Sequence, residues 1–334
     1  MVAFGLVLLQ SLGLFQLDAP GRGPRIPQST RQMALYPLPA VYLPGSECMV
    51  RNIEPRNKKM CQEQSEFVVA CVNAERSACA SIGSVLRIDN VRPARRDNSG
   101  QVLATTEESN VLEVRCTVVG RVRIVACDNL EAWRDRSRAE YLVADVADYD
   151  DEVEESAAPD DVSPPDEDEV ADAIYKLTDA LLESAPADGS EPGLDVDAAV
   201  ASLEYAAELC ADHRWWDALD VWQMHCATRL AAVAALHRVE RNEFVIDAKM
   251  RQGGMLEIPV KEWTLDIADR VKLADLDARA ADAAAQMGLD DASSFQEMLE
   301  TRLPAERAAL LLRGVEREAE RLARRASLAR SLEI

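Results

Sequence analysis

From about Met33 to Asp150 the apolar residues fall into short, strand-length runs. Phe67 to Val72 is continuously apolar, as a strand buried on both faces is, and Ile82 to Ile88 is a second run. Val102-Leu103-Ala104 follows a turn-like Asp97-Asn98-Ser99-Gly100. Val111 to Val125 alternates, with Val114, Cys116 and Val118 on one face and Glu113, Arg115 and Thr117 on the other. Gly120 interrupts it as a bulge or sharp bend does. Tyr141 to Val146 reads as the last strand, and Pro55 marks the first turn of one short helix.

From about Val170 the period changes to that of helices. Trp215, Leu219, Trp222, Cys226, Leu230 and Val233 define one apolar face, which a Gly253-Gly254 pair and Pro259 bring to an end. A last helix follows Pro304. Its Leu312, Val315, Ala319, Leu322, Ala326 and Ala329 step by threes and fours, the spacing of a coiled-coil seam, which offers a surface for self-association. The pattern divides the chain into a leader or targeting segment (1–32), a β domain (33–150), a linker (151–169) and a helical domain (170–334). The linker is acidic and carries three prolines, so it is expected to be a disordered tether.

Charge narrows the partners. The 334 residues carry 59 acidic and 37 basic side chains, a formal net charge of -22. Nucleic-acid phosphate and anionic lipid both repel such a chain, so neither is expected as a partner, and no later segment is apolar enough for stable membrane insertion. The first 17 residues are largely apolar. Ala19 to Ser46 holds no acidic residue but includes Arg22, Arg25 and Arg31. That composition fits import into a plastid or other organelle; the alternatives are a cytoplasmic protein and a misassigned start codon.

No two of the eight cysteines stand in a C-x-x-C spacing, and free thiols in a reducing compartment are expected. Cys210, His213, His225 and Cys226 have the residue types of a zinc site. Cys226 already belongs to the apolar stripe, however, and adjacent residues on a helix diverge, so no metal and no cofactor is expected. Trp216 falls off the stripe and is a candidate partner surface.

Six segments in order resemble the amino-terminal, substrate-binding domain of the Lon protease family, over about a third of the chain. They are Tyr36 to Gly45 (its Pro44-Gly45 turn), Arg51-Asn52-Ile53-Glu54-Pro55-Arg56, Phe67-Val68-Val69, Ile82 to Ile88 with Gly83, Gly120-Arg121-Val122-Arg123-Ile124, and Tyr141 to Val146. Asn57 stands where the family has tyrosine after Arg56, and Asn52-Ile53 where it has Ile-Phe. The resemblance implies an α+β chain: a Lon-N/PUA-like β pseudo-barrel, followed by the acidic linker and a mainly helical C-terminal region. It casts Pro44, Gly45, Arg51, Glu54, Pro55, Arg56, Gly83, Gly120, Arg121 and Arg123 as structural residues. Glu54 and Arg56 are expected to pair with Arg51, Arg121 or Arg123 and with backbone groups.

The full-length Lon proteases also need a nucleotide-binding motor and a serine–lysine peptidase. No G-x-x-x-x-G-K-[ST] loop, G-x-S-x-G elbow or H-E-x-x-H helix occurs here, so no catalytic residue is assigned and a non-enzyme is expected. The resemblance implies a polypeptide-binding protein that engages unfolded or client chains in protein quality control, or an adaptor for a protease or assembly complex. The alternative is an RNA-binding PUA-like module that uses Arg87, Arg92, Arg95, Arg96, Arg121 and Arg123, against which the net charge counts.

Overall fold

The computed structural model describes residues 16–17, 29–73, 78–96, 102–103, 111–129, 140–151, 165, 167–184, 195–251, 266–287 and 292–332. Most of the leader, most of the acidic linker, the turn at 97–100 and the Gly253-Gly254 and Pro259 break lie outside these residues. The chain divides into two units. The first joins Met1–Ser163 to Ala292–Arg307, and the second joins Pro164–Asp291 to Ala308–Ile334.

The strands of the first unit are β1 (Gln16–Leu17), β2 (Arg31–Leu38), β3 (Glu47–Asn52), β4 (Glu66–Asn73), β5 (Ala78–Cys79), β6 (Ile82–Arg96), β7 (Val102–Leu103), β8 (Val111–Cys127) and β9 (Leu142–Asp148). Helix α1 (Pro55–Glu63) joins β3 to β4. Five strands close a ring. β2 runs parallel to β4, β4 pairs antiparallel with β6, β6 with β8, β8 with β9, and β9 returns to β2. The result is α+β with a pseudo-barrel that is not regular, because β3 lies outside the ring and, among the described residues, pairs only with the first half of β8. One expected boundary shifts, and the leader contributes to the sheet. β2 begins at Arg31, within the expected leader, and β1 within that leader pairs parallel with β5.

The continuous run in β4 has the physical origin its composition suggested. Phe67 and Val69 enter one core cluster with Met60, Leu86, Val114 and Cys116. Val68 and Ala70 enter another with Leu35, Val85, Val122 and Val146. A strand with apolar neighbours on both faces needs no polar alternation. Gly83 sits where β6 crosses β4: a Cβ there would lie 2.7 Å from the Val69 carbonyl oxygen, so only glycine permits the approach. Gly120 lies at the register shift opposite Val85 and Leu86, where Val119 is the extra residue of a bulge.

The first unit is discontinuous in sequence, unlike the expected 33–150 domain. Helix α6 (Ala292–Glu300) lies against β6 and buries Phe295, Met298 and Leu299, and Gln296 donates to the Ile82 carbonyl at 3.0 Å. Sequence period could not reveal this, because an amphipathic nine-residue helix does not state which surface covers its apolar face.

The second unit holds α2 (Glu167–Ser184), α3 (Val196–Ala211), α4 (Trp215–Arg251), α5 (Ile267–Met287) and all of α7 (Pro304–Leu332) beyond its first turn. Helix α2 begins at Glu167, so Glu167 to Glu169 of the expected linker are helical; three acidic residues in a first turn suit the positive end of the helix dipole. Asp195 caps α3 by accepting from the Ala198 amide at 3.0 Å. The same helix ends in a Schellman arrangement. Arg214 donates to the Leu209 carbonyl and His213 to that of Cys210, with His213 at a φ of 59°.

Leu219, Trp222 and Cys226 are buried as the stripe requires, but Ala218, His225, Arg229 and Ala232 are buried with them. On α7 beyond its first turn the buried positions are Ala308, Leu311, Val315, Glu318, Leu322 and Ala326. The expected seam at Leu312 and Ala319 is therefore displaced by one residue, and both of those positions are half-buried. Glu318 explains the displacement. Its carboxylate accepts from Arg321 at 2.6 and 2.7 Å and faces Arg229 at 3.6 Å, so a charge occupies a seam position. Gly314 places its turn of α7 against the Trp222 indole. The seam expected to serve self-association packs within this unit.

Candidate functional site

The Pro44-Gly45 turn builds the site. The Ser46 amide donates to the Leu43 carbonyl at 3.2 Å, and Gly45 has a φ of 88°, as a type II turn with proline at its second position requires. The Gly45 amide donates to the Val118 carbonyl while the Val118 amide donates to that of Ser46, both at 2.9 Å. This is a bulge with glycine in the left-handed position. It fixes the register of β3 on β8, with Cys48 opposite Cys116, Val50 opposite Val114 and Asn52 opposite Leu112.

Antiparallel ladders alternate bonded and non-bonded pairs, so this register turns the amides and carbonyls of Cys48, Val50 and Asn52 toward β8. Those of Glu47, Met49 and Arg51 point away from the sheet. Among the described residues no strand pairs with that outer edge. The matching edge of β6 carries Pro93, which has no amide to donate.

Glu47, Met49 and Arg51 also share the outward face of the sheet. Across it run three rows: Glu47, Thr117 and Arg87; Met49, Arg115 and Asn90; Arg51, Glu113 and Arg92. Met49 is 44% exposed, a large apolar side chain on an otherwise charged surface. Together with Asn90, Arg92, Glu113 and Arg115 it lines a shallow cleft of about 160 Å3. Glu113 is only 1% exposed, although it points away from the core. Arg92 covers it with contacts of 2.7 and 2.9 Å, and Arg51 lies 3.5 Å from its other oxygen. Arg115 pairs with Glu47, and Arg87 with Asp89. On the inner face of β3 the Cys48 and Cys116 thiols are hydrogen-bonded across the ladder; that bond and burial push the Cys116 thiol far above its ordinary range. All eight cysteines are free thiols.

The remaining candidate residues serve the frame. Glu54 precedes α1 and its carbonyl accepts from Asn57 and Lys58; Pro55 occupies the first turn. The Glu54 carboxylate pairs with Arg56 at 2.9 Å, as the chain turns the buried Arg56 back onto its own helix entrance. Arg51 serves Glu113 instead. Asn52 is fully buried and donates to the Cys61 sulfur at 3.2 Å. Asn57 is hydrogen-bonded to Tyr36. These two polar contacts stand where the family pattern has aromatic and apolar residues.

Arg121 lies apart from the edge. It donates to the Leu299 and Thr301 carbonyls at 2.5 and 2.8 Å and pairs with Asp151, which also takes two bonds from Arg307 at 2.6 and 2.7 Å. Tyr149 donates to the Glu300 carbonyl at 2.6 Å, and its ring is approached by Arg121, Arg123 and Arg302. Burial lowers the Arg121 pKa, Asp151 opposes that shift, and Arg307 adds to it. The cluster therefore closes the carbonyl end of α6 onto the β strands. This role has no local signature in the sequence, since Arg121 and its acceptors are some 180 residues apart.

In the second unit Trp216 is half-buried on α4. The cysteine–histidine set does not assemble: Cys210 is buried in α3, and exposed His213 pairs with Glu167 at 3.0 Å. His225 stacks on Trp222. Among the described residues no group of three or more metal-ligating side chains occurs, and no helix is long and apolar enough to cross a membrane.

No family model and no curated protein matches the chain. Among solved structures, the chain is similar to the Lon N-terminal domain protein from Xanthomonas campestris. Identity is 20%, with 44% of this chain and 72% of that chain covered at a TM-score of 0.27. It is also similar to the N-terminal domain of the Mycobacterium avium complex Lon protease, at 14% identity, 59% and 96% coverage and a TM-score of 0.29.

Proposed function

We propose that the first unit is a non-catalytic polypeptide-binding module that accepts an extended segment of a client chain along the outer edge of β3. The observation that carries this reading is that edge: outward-directed amides and carbonyls at Glu47, Met49 and Arg51, no strand pairing them among the described residues, and exposed Met49 beside a cleft. A peptide laid there gains main-chain hydrogen bonds of the sheet type, which do not depend on its sequence, while Met49 offers apolar contact. Broad acceptance of unfolded segments is what a quality-control or adaptor role requires. The motif resemblance to the Lon substrate-binding domain points the same way. Supply of clients to a protease or assembly complex, and residence in a plastid, are extensions of this proposal.

The arginines of the β face give little support to RNA binding. Of the six arginines that reading would use, Arg87, Arg92 and Arg121 each face a carboxylate, as do the neighbouring Arg51 and Arg115, which reduces the net positive charge available to a phosphate backbone.

The test is a titration of the full chain with a fluorescent, permanently unfolded polypeptide, beside one with single-stranded RNA. Polypeptide binding is expected, and Met49→Pro should abolish it, because proline removes an edge amide that β8 does not use. Unchanged circular dichroism would show that the sheet survives the substitution. Polypeptide binding by Met49→Pro equal to that of the parent would overturn the edge assignment; binding of RNA alone would overturn the function.

A further inference from the structure

The open edge has a second property that client binding does not need. Its outward residues read Glu47, Met49, Arg51: acidic, apolar, basic. A two-fold axis through Met49, perpendicular to the sheet, sets Met49 opposite Met49 of a second copy. The same axis places each Glu47 opposite Arg51 of the other copy. The edge is its own complement when antiparallel, and only then. Parallel, in-register pairing would stack Glu47 on Glu47 and Arg51 on Arg51, and like charges directly opposite on a sheet repel.

We infer that this edge is a self-recognition surface, on which two copies of the chain join β3 to β3 into a continuous sheet running β6-β8-β3-β3-β8-β6. Three features support a second copy as the occupant. The charges match under the two-fold operation, with each Glu47 also keeping Arg115 and each Arg51 keeping Glu113 on its own copy. The residues that would meet are those whose amides and carbonyls turn outward, so Met49 opposite Met49 is a hydrogen-bonded pair. The exposed Met49 side chains would cover each other at the axis. An isologous contact of this kind uses up both edges, so it closes at two copies and does not grow into a filament. An edge of six residues is shorter than the interfaces of obligate dimers, so the association is reversible and depends on concentration. The inference rests on the same open edge as the proposed function, and a client and a second copy would exclude each other there.

Sedimentation velocity of the full chain over micromolar to submillimolar concentrations tests it. The parent chain is expected to pass from monomer to dimer. Glu47→Arg makes the edge all basic and Arg51→Glu makes it all acidic, so each alone should weaken dimerisation by about tenfold or more. An equimolar mixture of the two should recover the dimer, because every cross-strand pair is again opposite in charge. That rescue also shows that both variants fold. A parent chain that stays monomeric throughout, a dimer indifferent to both reversals, or variants that fail to recover on mixing would each overturn the inference. Polypeptide titration of the same samples separates the two claims. A monomer that binds clients sinks only self-pairing, and a charge-swappable dimer that binds no client sinks only the proposed function.

Discussion

The two units bury charge in different ways. In the β unit Glu113 is buried from outside, on the outward face of β8, beneath Arg51 and Arg92 reaching over from neighbouring strands. In the helical unit charge lies within the packing layer itself. Arg229 and Glu318 are 2% and 1% exposed, His225 is 4% exposed, and all three interleave with Trp222, Cys226, Val315 and Leu322. A sheet can hold an ion pair on its outer face without disturbing its core. A helix bundle that buries one makes its stability depend on the pairing and on pH.

The hardest way to break that contrast is to remove one partner of the buried pair. Glu318→Ala removes the carboxylate that faces Arg229 inside the bundle and leaves Arg321 without its acceptor, and it should destabilise the helical unit by about 3–5 kcal/mol. Chemical denaturation followed by helical circular dichroism would measure this, and a loss under 1 kcal/mol would mean that water reaches the site.

Acidification should have the next largest effect. Burial, helped by Arg229 and Arg321, lowers the His225 pKa from its ordinary 6.5 to about 4. The native state holds His225 neutral while the unfolded chain takes up a proton, so its contribution to stability is full above pH 6.5. That contribution is lost as pH falls toward 4, by about 2–4 kcal/mol in all. His225→Gln should flatten this part of the stability–pH curve, and an unaltered curve would assign the acid sensitivity to other groups.

In the β unit the corresponding weak point is backbone geometry. Gly45→Ala forces a Cβ into the left-handed region and should cost about 1–2 kcal/mol, read as a lower melting temperature of the sheet signal. The smallest effect expected is a gain. His213 occupies the position after α3 where glycine is favoured, and His213→Gly should add about 0.5–1 kcal/mol in thermal melts of the helical signal. A loss there would show that the contact with Glu167 outweighs the backbone strain.

The same contrast decides what could be read from the sequence. The β strands were legible because Phe67 to Val72 and the alternation from Val111 onward are consequences of which faces meet apolar neighbours. The bulge at Gly120 was legible because glycine in a strand has few other uses. The α4 stripe was legible in part: Leu219, Trp222 and Cys226 are buried, but His225 and Arg229 share their face. On α7 a period count that excludes charged residues cannot select Glu318, so it moves to Ala319 and then to Leu312. At the edge, Pro44 and Gly45 were visible as a turn. That β3, among the described residues, is paired on one side only depends on β9 taking the second half of β8. Such strand competition is a property of three-dimensional pairing and has no local signature.

The clasp at Arg121 has a consequence for how the chain is made. Its acceptors, the Leu299 and Thr301 carbonyls, lie 178 and 180 residues downstream. A ribosome adding about 5–20 residues per second reaches them roughly 10–40 seconds after it has made Arg121. During that interval the strands can pair, but the surface of β6 that α6 will cover stays bare, and the intervening helices are synthesised beside it. Closing so long a loop adds entropy to the barrier and slows the last step of folding. Until α6 is made, the apolar surface of the β unit that Phe295, Met298 and Leu299 help to cover in the finished fold lacks that helix.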